Sequence, residues 1–582
     1  MIYNLERLSE YVDSLARPAA GKSPVIGISS HHAGGCSTLN DYYSNAVLKA
    51  GGIPLAVPVM TDGDALAALV DTMDALLLTG GGDISPLFYG EDPEKGLGEV
   101  DPQRDMYDFM LLKLCTDRMM PVMGICRGHQ LINLYFGGKN YQDIASALPL
   151  SIQHSQQTDK RFNSHFVDIE RSSLLYKLLG RERMAVNSVH HQAVSEVAPG
   201  FLSAAVSSDG INEAMEAVPV RPVYSVQWHP EAMSDIGDEM LPLFSYHVRQ
   251  ASFFKKAKEF HRNHCSVDSH CDTPMKFCPD MNLGIKDSRV KVDFRKMEEG
   301  MLDSVVMVAY LPQRERDAES LSRMPEVAAD ILEKIKGQLE KNAAIAGQAY
   351  VPSDVERLKK EGKKAVFLGI ENGYAIGKDI RNLERFKGMG IVYMTLCHNG
   401  DNDICDSCRG ESEHCGLSDF GEEVVREMNR LGIMVDISHA SDQTVRDALQ
   451  VSQVPIIASH SSARSICNHR RNLPDDLLRE IAAGGGVIQA TIYDGFVKEE
   501  GGAVLPDFIN HINHIVEVAG IDHVGIGTDF DGDGGIPGCD SASEMLAVTM
   551  ALYKEGYSDT ELEKIWGGNF LRVMDEVQNF AG

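Results

Sequence analysis

Between Cys265 and Asp529 the chain carries eight short apolar runs of strand length: CSVDSH from Cys265, SVVMVAY from Ser304, AVFLGIE from Ala365, IVYMTLC from Ile391, IMVDISH from Ile433, PIIASH from Pro455, GVIQATI from Gly486 and HVGIGTD from His523. Stretches of helix length separate them. Near-continuous apolar runs read as strands buried on both faces, as parallel sheets require. Eight β-then-α units in the roughly 318 residues after His264 predict a (β/α)8 barrel, whose chemistry sits at the carboxyl ends of its strands.

Those ends are chemically loaded. In order they carry His270 and Asp272 (DSHCD), Glu371 (GIENG), His398 (TLCHNG), His439 (DISHAS), His460 (ASHSSAR) and Asp529 (GTDFDG). Polar residues without a role would scatter over both ends of a barrel, so this set predicts a metal site. Imidazole nitrogen mixed with carboxylate oxygen suits zinc best, with manganese or cobalt as alternatives. One catalytic zinc needs three protein ligands and an open position, so the set is large enough for two metals, which a bridging carboxylate would hold about 3.5 to 4 Å apart.

Upstream, the apolar runs PVIGIS, ALLLTGG, PVMGIC and YSVQWHP alternate with helical patterns, which predicts an α/β sheet. The stretch Ala251 to His264, ASFFKKAKEFHRNH, is basic, amphipathic and free of Gly and Pro. It reads as a helical connector and divides the chain into domains 1–255 and 256–582. In PVMGICRGHQ a strand runs into Gly124-Ile125-Cys126-Arg127-Gly128 and a helix pattern follows at once. The small residues permit a tight turn that lifts the Cys126 sulfur out of the sheet to a helix N-terminus. There the dipole and free N–H groups lower a thiol pKa and hold a developing oxyanion. SVQWHPE supplies His229 as the base a thiol nucleophile needs and Glu231 to orient it.

The chain of 582 residues is too long for one core. Its 55 Lys and Arg against 84 Asp and Glu, a net charge of −29, argue against nucleic acid or a membrane surface as partner. The N-terminal stretch lacks the apolar core of a secretory signal, and no run approaches the ~18 apolar residues needed to span a bilayer. A cytoplasmic protein is therefore expected. The twelve cysteines read as thiols. Cys405, Cys408 and Cys415 resemble half a zinc site but lack a fourth ligand, and read as incidental thiols in a polar loop.

GICRGHQ together with QWHPE resembles the class I glutamine amidotransferase-like fold, a flavodoxin-like α/β sandwich. LTGGGDISPLFYGE, DPQRD and VNSVHHQAV are similar to its γ-glutamyl-γ-aminobutyrate hydrolase branch. The resemblance implies hydrolysis of a γ-glutamyl amide through a thioester, with Cys126, His229 and Glu231 as the triad. Gly81 and Gly82 would supply oxyanion donors or shape the pocket, and Asn187, His190 and His191 would line it. Asp108 stands where Glu is expected after DPQRD.

From Cys265 onward, HxD, the Glu after the third strand, SHAS, SHSSAR, RRNLPDD and GTDFDG resemble the membrane dipeptidase (renal dipeptidase) family. This resemblance implies two zinc ions in the barrel: His270 and Asp272 on one, His439 and His460 on the other, Glu371 bridging. His398 would stabilise the tetrahedral intermediate, Asp529 would handle the proton, and Arg471 would hold the dipeptide's C-terminal carboxylate. Asn372 stands where many relatives have Gly, and NGDND follows His398 in place of Thr-Pro-Trp. The two resemblances together imply a bifunctional hydrolase of small peptides and γ-glutamyl compounds, since removing a γ-glutamyl group from a tripeptide such as glutathione leaves a dipeptide. The alternatives are an N-terminal module that only binds or scaffolds, and a barrel that opens lactones or cyclic amides. A homo-oligomer is left open.

Overall fold

The computed structural model describes residues 4–15 and 23–582. They divide into two compact units, one running to Lys255 apart from Asp117–Met119, the other comprising those three residues and Lys256–Gly582.

The first unit is built on one mixed sheet. Its principal strands are β1 (Val25–Ser29), β2 (Ile53–Val57), β3 (Ala75–Leu78), β4 (Val122–Ile125), β5 (His165–Ile169), β6 (Arg183–Val186), β7 (Phe201–Ser207), β8 (Asn212–Ala217) and β9 (Val223–Val226), in the order β2-β1-β3-β4-β9-β8-β7-β5-β6. From β2 to β9 neighbours run parallel, and from β9 to β6 they run antiparallel. Every residue of β3 and β4 is buried, as strands covered on both faces must be. Strand order reverses at β1, and the carboxyl ends beside such a reversal form the crevice in which open α/β sheets bind ligands.

The second unit is the barrel. Strands β10 (Val267–Cys271), β11 (Ser304–Tyr310), β12 (Lys364–Glu371), β13 (Ile391–Thr395), β14 (Met434–Asp436), β15 (Ile457–Ala458), β16 (Val487–Ala490) and β17 (Val524–Ile526) lie side by side in sequence order, all parallel. A short strand, Ala346–Gln348, adds beside β12. All eight expected runs are strands, but IMVDISH keeps only Met434–Asp436 in the ladder and PIIASH only Ile457–Ala458. The remaining residues of those runs turn out of the sheet and carry the site histidines.

The barrel closes through a bridge between Cys271 and Phe530, where the Asp272 N–H donates to the Phe530 carbonyl at 2.8 Å and the Asp529 N–H to the His270 carbonyl at 3.1 Å. Fully buried Asp268 staples this seam by accepting the Thr528 N–H at 2.9 Å and its hydroxyl at 2.6 Å. Val306, Phe367, Tyr393, Met434 and Val487 of the strands pack in one core cluster with Phe570, Val573 and Val577 of the last helix. Crossover helices start on side-chain caps, Ser418 before Asp419–Leu431 and Ser441 before Asp442–Val451. The connector helix runs Leu241–Asn263, ten residues further toward the N-terminus than its basic stretch indicated, because the one proline of LPLFSYHVRQ, Pro242, falls in the first turn, where a helix tolerates it.

Candidate active sites

At the carboxyl end of the barrel, hydrogen-bond relays fix the tautomers of three histidines. His270 Nδ1–H donates to the Tyr393 hydroxyl at 2.8 Å, whose own proton goes to the Ser269 carbonyl at 3.0 Å. Its Nε2 is thereby left as a buried lone pair without a hydrogen-bond partner, 3.6 Å from Asp272 Oδ2 and 3.7 Å from Glu371 Oε2. His460 Nδ1 is spent on Ser459 Oγ at 2.7 Å, and the Ser459 proton goes to buried Asp436 at 2.7 Å. His439 Nδ1 is spent on Asn399 Oδ1 at 3.1 Å. The Nε2 atoms of His439 and His460 then face each other at 3.0 Å with both lone pairs inward, a contact that a shared cation relieves.

Glu371 divides its oxygens between these groups. Oε1 lies 3.1 Å from His439 Nε2 and 3.6 Å from His460 Nε2, while Oε2 faces His270. Buried Asp272 Oδ1 and Glu371 Oε2 have no hydrogen-bond partner. Three overlapping groups, His270–Glu371–His460, Glu371–His398–His439 and His270–Asp272–Asp529, bring their ligand atoms within 4.8 Å of one another. Burial, then Asp272, pushes the Glu371 carboxyl up to about 7 and Asp529 well above its usual range, while burial, then Arg471, drives His439 well down. His439 and His460, which burial drives well down, and the carboxylates crowded round His270 make the donor set of a divalent metal centre, and they fit zinc.

His439, Asp529 and Asn372 all have positive φ, at 68°, 60° and 87°. Such conformations cost non-glycine residues about 1 to 3 kcal/mol and persist where the surroundings enforce them. Asn372 thus takes a conformation natural to Gly and offsets the strain by donating to the Leu311 carbonyl at 3.0 Å and accepting from Asn402 at 3.1 Å. The NGDND departure supplies Asn399, the hydrogen-bond partner of His439, so it belongs to the metal centre's support.

A cleft of about 290 Å³ opens over the centre, lined by Tyr310, His398, Arg409, Tyr493 and Phe496 together with Glu371 and Asp529. Arg471 is buried beside it. One of its Nη atoms donates to Ser461 Oγ at 2.8 Å and the other to the His460 carbonyl at 2.9 Å, and the guanidinium lies 5.5 Å from the Phe496 ring centre. Arg409, Tyr393, Asn399 and Asp436 were not anticipated, since nothing in the local sequence marks them as partners of the site histidines or walls of the cleft. Cys405, Cys408 and Cys415 are free thiols, and among the described residues no metal-holding group includes them.

In the first unit Cys126 follows β4 at φ 53°, ψ −103°, and the helix Arg127–Tyr135 starts at the next residue. A Cβ on Gly124 would come within 2.7 Å of the Gly128 carbonyl oxygen, and one on Gly128 within 2.6 Å of that of Leu78, so this elbow closes only with glycine at both positions. His229 Nδ1 is 2.8 Å from Glu231 Oε1. Asn187 brackets the His229 backbone, accepting its N–H at 2.8 Å and donating to its carbonyl at 2.9 Å. Burial works against a charged ring, but Glu231 and Cys126 outweigh it and push His229 up to about 10.

The glycine that faces this pair is Gly80, where a Cβ would meet His229 Cε1 at 2.9 Å and Cys126 Cβ at 3.5 Å. Gly81 turns toward the Arg104 guanidinium and Gly82 toward the Glu99 carbonyl. The adjoining cleft, about 330 Å³, is lined by His31, Gly82, Asp83, Asp101, Arg104 and Arg127. Arg104 and Arg127 are further unanticipated groups. Asp108 pairs with both, lying 3.3 Å from Arg104 Nε, so it faces the arginines. His191 pairs with Asp83 at 3.0 Å. His190 instead turns toward Glu213, 3.6 Å away, inside the unit.

A parallel barrel with this donor set at its strand ends is a metallopeptidase scaffold, and the thiol elbow marks the other unit as glutamine amidotransferase-like. The chain belongs to the membrane dipeptidase family, peptidase family M19, whose family model matches residues 254–582, and a peptidase C26 model matches residues 24–231. The M19 match implies a metal and peptide substrates. The probable dipeptidase PvdM from Pseudomonas aeruginosa is 27% identical over 56% of this chain and 99% of its own, with a TM-score of 0.54. A metallo peptidase from Rhodobacter sphaeroides, liganded with a phosphinate mimic of the dipeptide L-Ala-D-Ala, shares the fold at 22% identity over 54% of this chain and 99% of its own, with a TM-score of 0.50. No helix of the described residues is long and apolar enough to cross a membrane.

Proposed function

We propose that the chain is a bifunctional hydrolase, with residues 1–255 a thiol-dependent γ-glutamyl amide hydrolase and residues 256–582 a dipeptidase that holds two zinc ions. The observation that carries the dipeptidase reading is Glu371, whose two oxygens are divided between His270 and the His439–His460 pair. His270 and Asp272 would hold one ion, His439 and His460 the other, with Glu371 between them. Bound there, zinc supplies the Lewis acidity that polarises a scissile carbonyl and makes water nucleophilic at neutral pH.

The chain's own groups do the rest. Arg471 holds the dipeptide's C-terminal carboxylate through the N–H groups that Ser461 and His460 leave free, with Arg409 in the cleft wall adding charge. Burial, then Arg471, hold His398 at about 4, so it acts as a neutral imidazole that hydrogen-bonds the oxygen of the tetrahedral intermediate. Asp529, its pKa raised by burial and by Asp272, takes the proton of the attacking water and passes it to the leaving amine.

At the other site Cys126 attacks the γ-carbonyl and His229, protonated at neutral pH, delivers its proton to the departing amine. The Arg127 N–H, an orphan donor at the helix start, faces the developing oxyanion. A γ-glutamyl tripeptide cut here yields a dipeptide, the barrel's substrate type. The test is mass-spectrometric product analysis on γ-glutamyl tripeptides and plain dipeptides for Cys126→Ala and His270→Ala. The first variant should lose only γ-glutamyl cleavage and the second only dipeptide cleavage. Loss of the same activity in both would overturn the two-site reading.

A further inference from the structure

Away from both clefts, the first unit buries three imidazoles around one carboxylate. Glu213 Oε1, in β8, lies 3.2 Å from His165 Nε2 of β5, 3.4 Å from His154 Nδ1 and 3.6 Å from His190 Nε2, with side chains from 0% to 7% exposed. None of these four atoms has a hydrogen-bond partner. Buried polar atoms left so are destabilising, and native interiors rarely tolerate several together without an occupant.

The far side of two rings is committed. His154 Nε2 lies 3.0 Å from Asp209 Oδ2, and His190 Nδ1 lies 2.9 Å from the Gln192 carbonyl oxygen. In its neutral form a ring that gives its proton to Asp209 or to the Gln192 carbonyl turns its other nitrogen, His154 Nδ1 or His190 Nε2, to Glu213 as a lone pair. Lone pairs and a carboxylate converging on one point repel unless a cation sits among them. The spacing of His165 and His154 from Glu213 suits one, because ligands 2.0 to 2.2 Å from a tetrahedral centre sit about 3.3 to 3.6 Å apart. The ligand atoms of His154, His165 and Glu213 all fall within 4.8 Å of one another.

We infer that His154, His165 and Glu213 hold one divalent transition metal, zinc by its donor set. Metal-ligating histidines spend their second N–H on a carboxylate or a backbone carbonyl, the arrangement of His154 on Asp209. Glu213 and the rings around it are buried, which leaves a substrate no approach, so the role is structural. The metal ties β5 and β8 to the loop that carries His154. His190, 3.6 Å from Glu213, sits in the loop that carries Asn187, which brackets the His229 backbone, so the site steadies the thiol centre's base from behind. This inference is independent of the reactions proposed for either cleft.

Zinc chloride is the probe. Crystals of the full chain grown with it should show an anomalous peak at the zinc edge bonded to His154, His165 and Glu213, separate from any in the barrel; its absence overturns the inference. In solution, Glu213→Gln and His165→Asn should each lower bound zinc by one equivalent per chain in elemental analysis, with dipeptide hydrolysis unchanged. Unchanged zinc content in either variant means that a protonated imidazole, and no metal, neutralises Glu213. The crystallographic measurement uses the unaltered chain, so it decides the question even if a variant fails to fold.

Discussion

At the scale of single residues, chemistry depends on which nitrogen of an imidazole carries its proton. His229 illustrates the point, because Glu231 on Nδ1 and Cys126 beside the ring hold it at about 10 against its burial. A folded pKa raised above the ordinary value of about 6.5 contributes stability that is fully present below pH ~6.5 and is lost as pH rises through about 10. The same proton is the acid for the leaving amine, so γ-glutamyl cleavage should fall on an alkaline limb near pH 10. Glu231→Gln removes the largest raising influence and should move that limb to lower pH; a pH–rate profile with an unmoved limb would show that Glu231 does not set the proton. In the barrel, Tyr393→Phe breaks the relay that orients His270 while keeping the ring. Loss of such a partner typically weakens metal affinity 10- to 100-fold, and a zinc competition titration with equal affinities would refute that role. That His270, Asp272, Glu371, His439 and His460 gather at one end of the barrel was legible in the sequence, since a polar residue ending an apolar run announces itself. Their partners Tyr393, Asn399 and Asp436 were not, because each becomes a partner only when the strands stand side by side.

Elements explain why the site residues converge. The strands β14 and β15 are short because the chain leaves the ladder early to carry His439 and His460 inward. The seam between β17 and β10 rests on few backbone bonds, and buried Asp268 compensates by gripping Thr528. Thr528→Val keeps the shape but deprives that carboxylate of a donor, at a cost of about 1 to 3 kcal/mol. The midpoint of urea-induced loss of dipeptide hydrolysis should move to lower concentration, and an unchanged midpoint would mean that the staple contributes nothing to closure. At the other site the elbow was legible in GICRG, because small residues flanking a Cys between a strand and a helix leave few other conformations. That Gly80 faces the thiol, with Gly81 turned to Arg104, follows from how β3 and β4 are juxtaposed and leaves no local trace.

For the whole molecule, two sets of chemistry on one chain predict separable sensitivities. Chelation should abolish dipeptide hydrolysis and added zinc should restore it, whereas alkylation of Cys126 by an electrophilic glutamine analogue should leave dipeptide hydrolysis untouched. Retained dipeptide hydrolysis after chelation, with zinc removal confirmed by elemental analysis, would refute metal dependence. The net charge of −29 still has no specific functional account. By itself the sequence determined the kinds of element, the eight-fold β-then-α order and most of the reactive groups, because hydrophobic period and residue chemistry are local properties of a chain. Only the tertiary structure decided which carboxylate oxygen faces which imidazole, which tautomers the rings adopt and that His154, His165 and His190 surround Glu213. Those relations join residues far apart in sequence, and they exist only once packing has set the distances across which lone pairs and charges act.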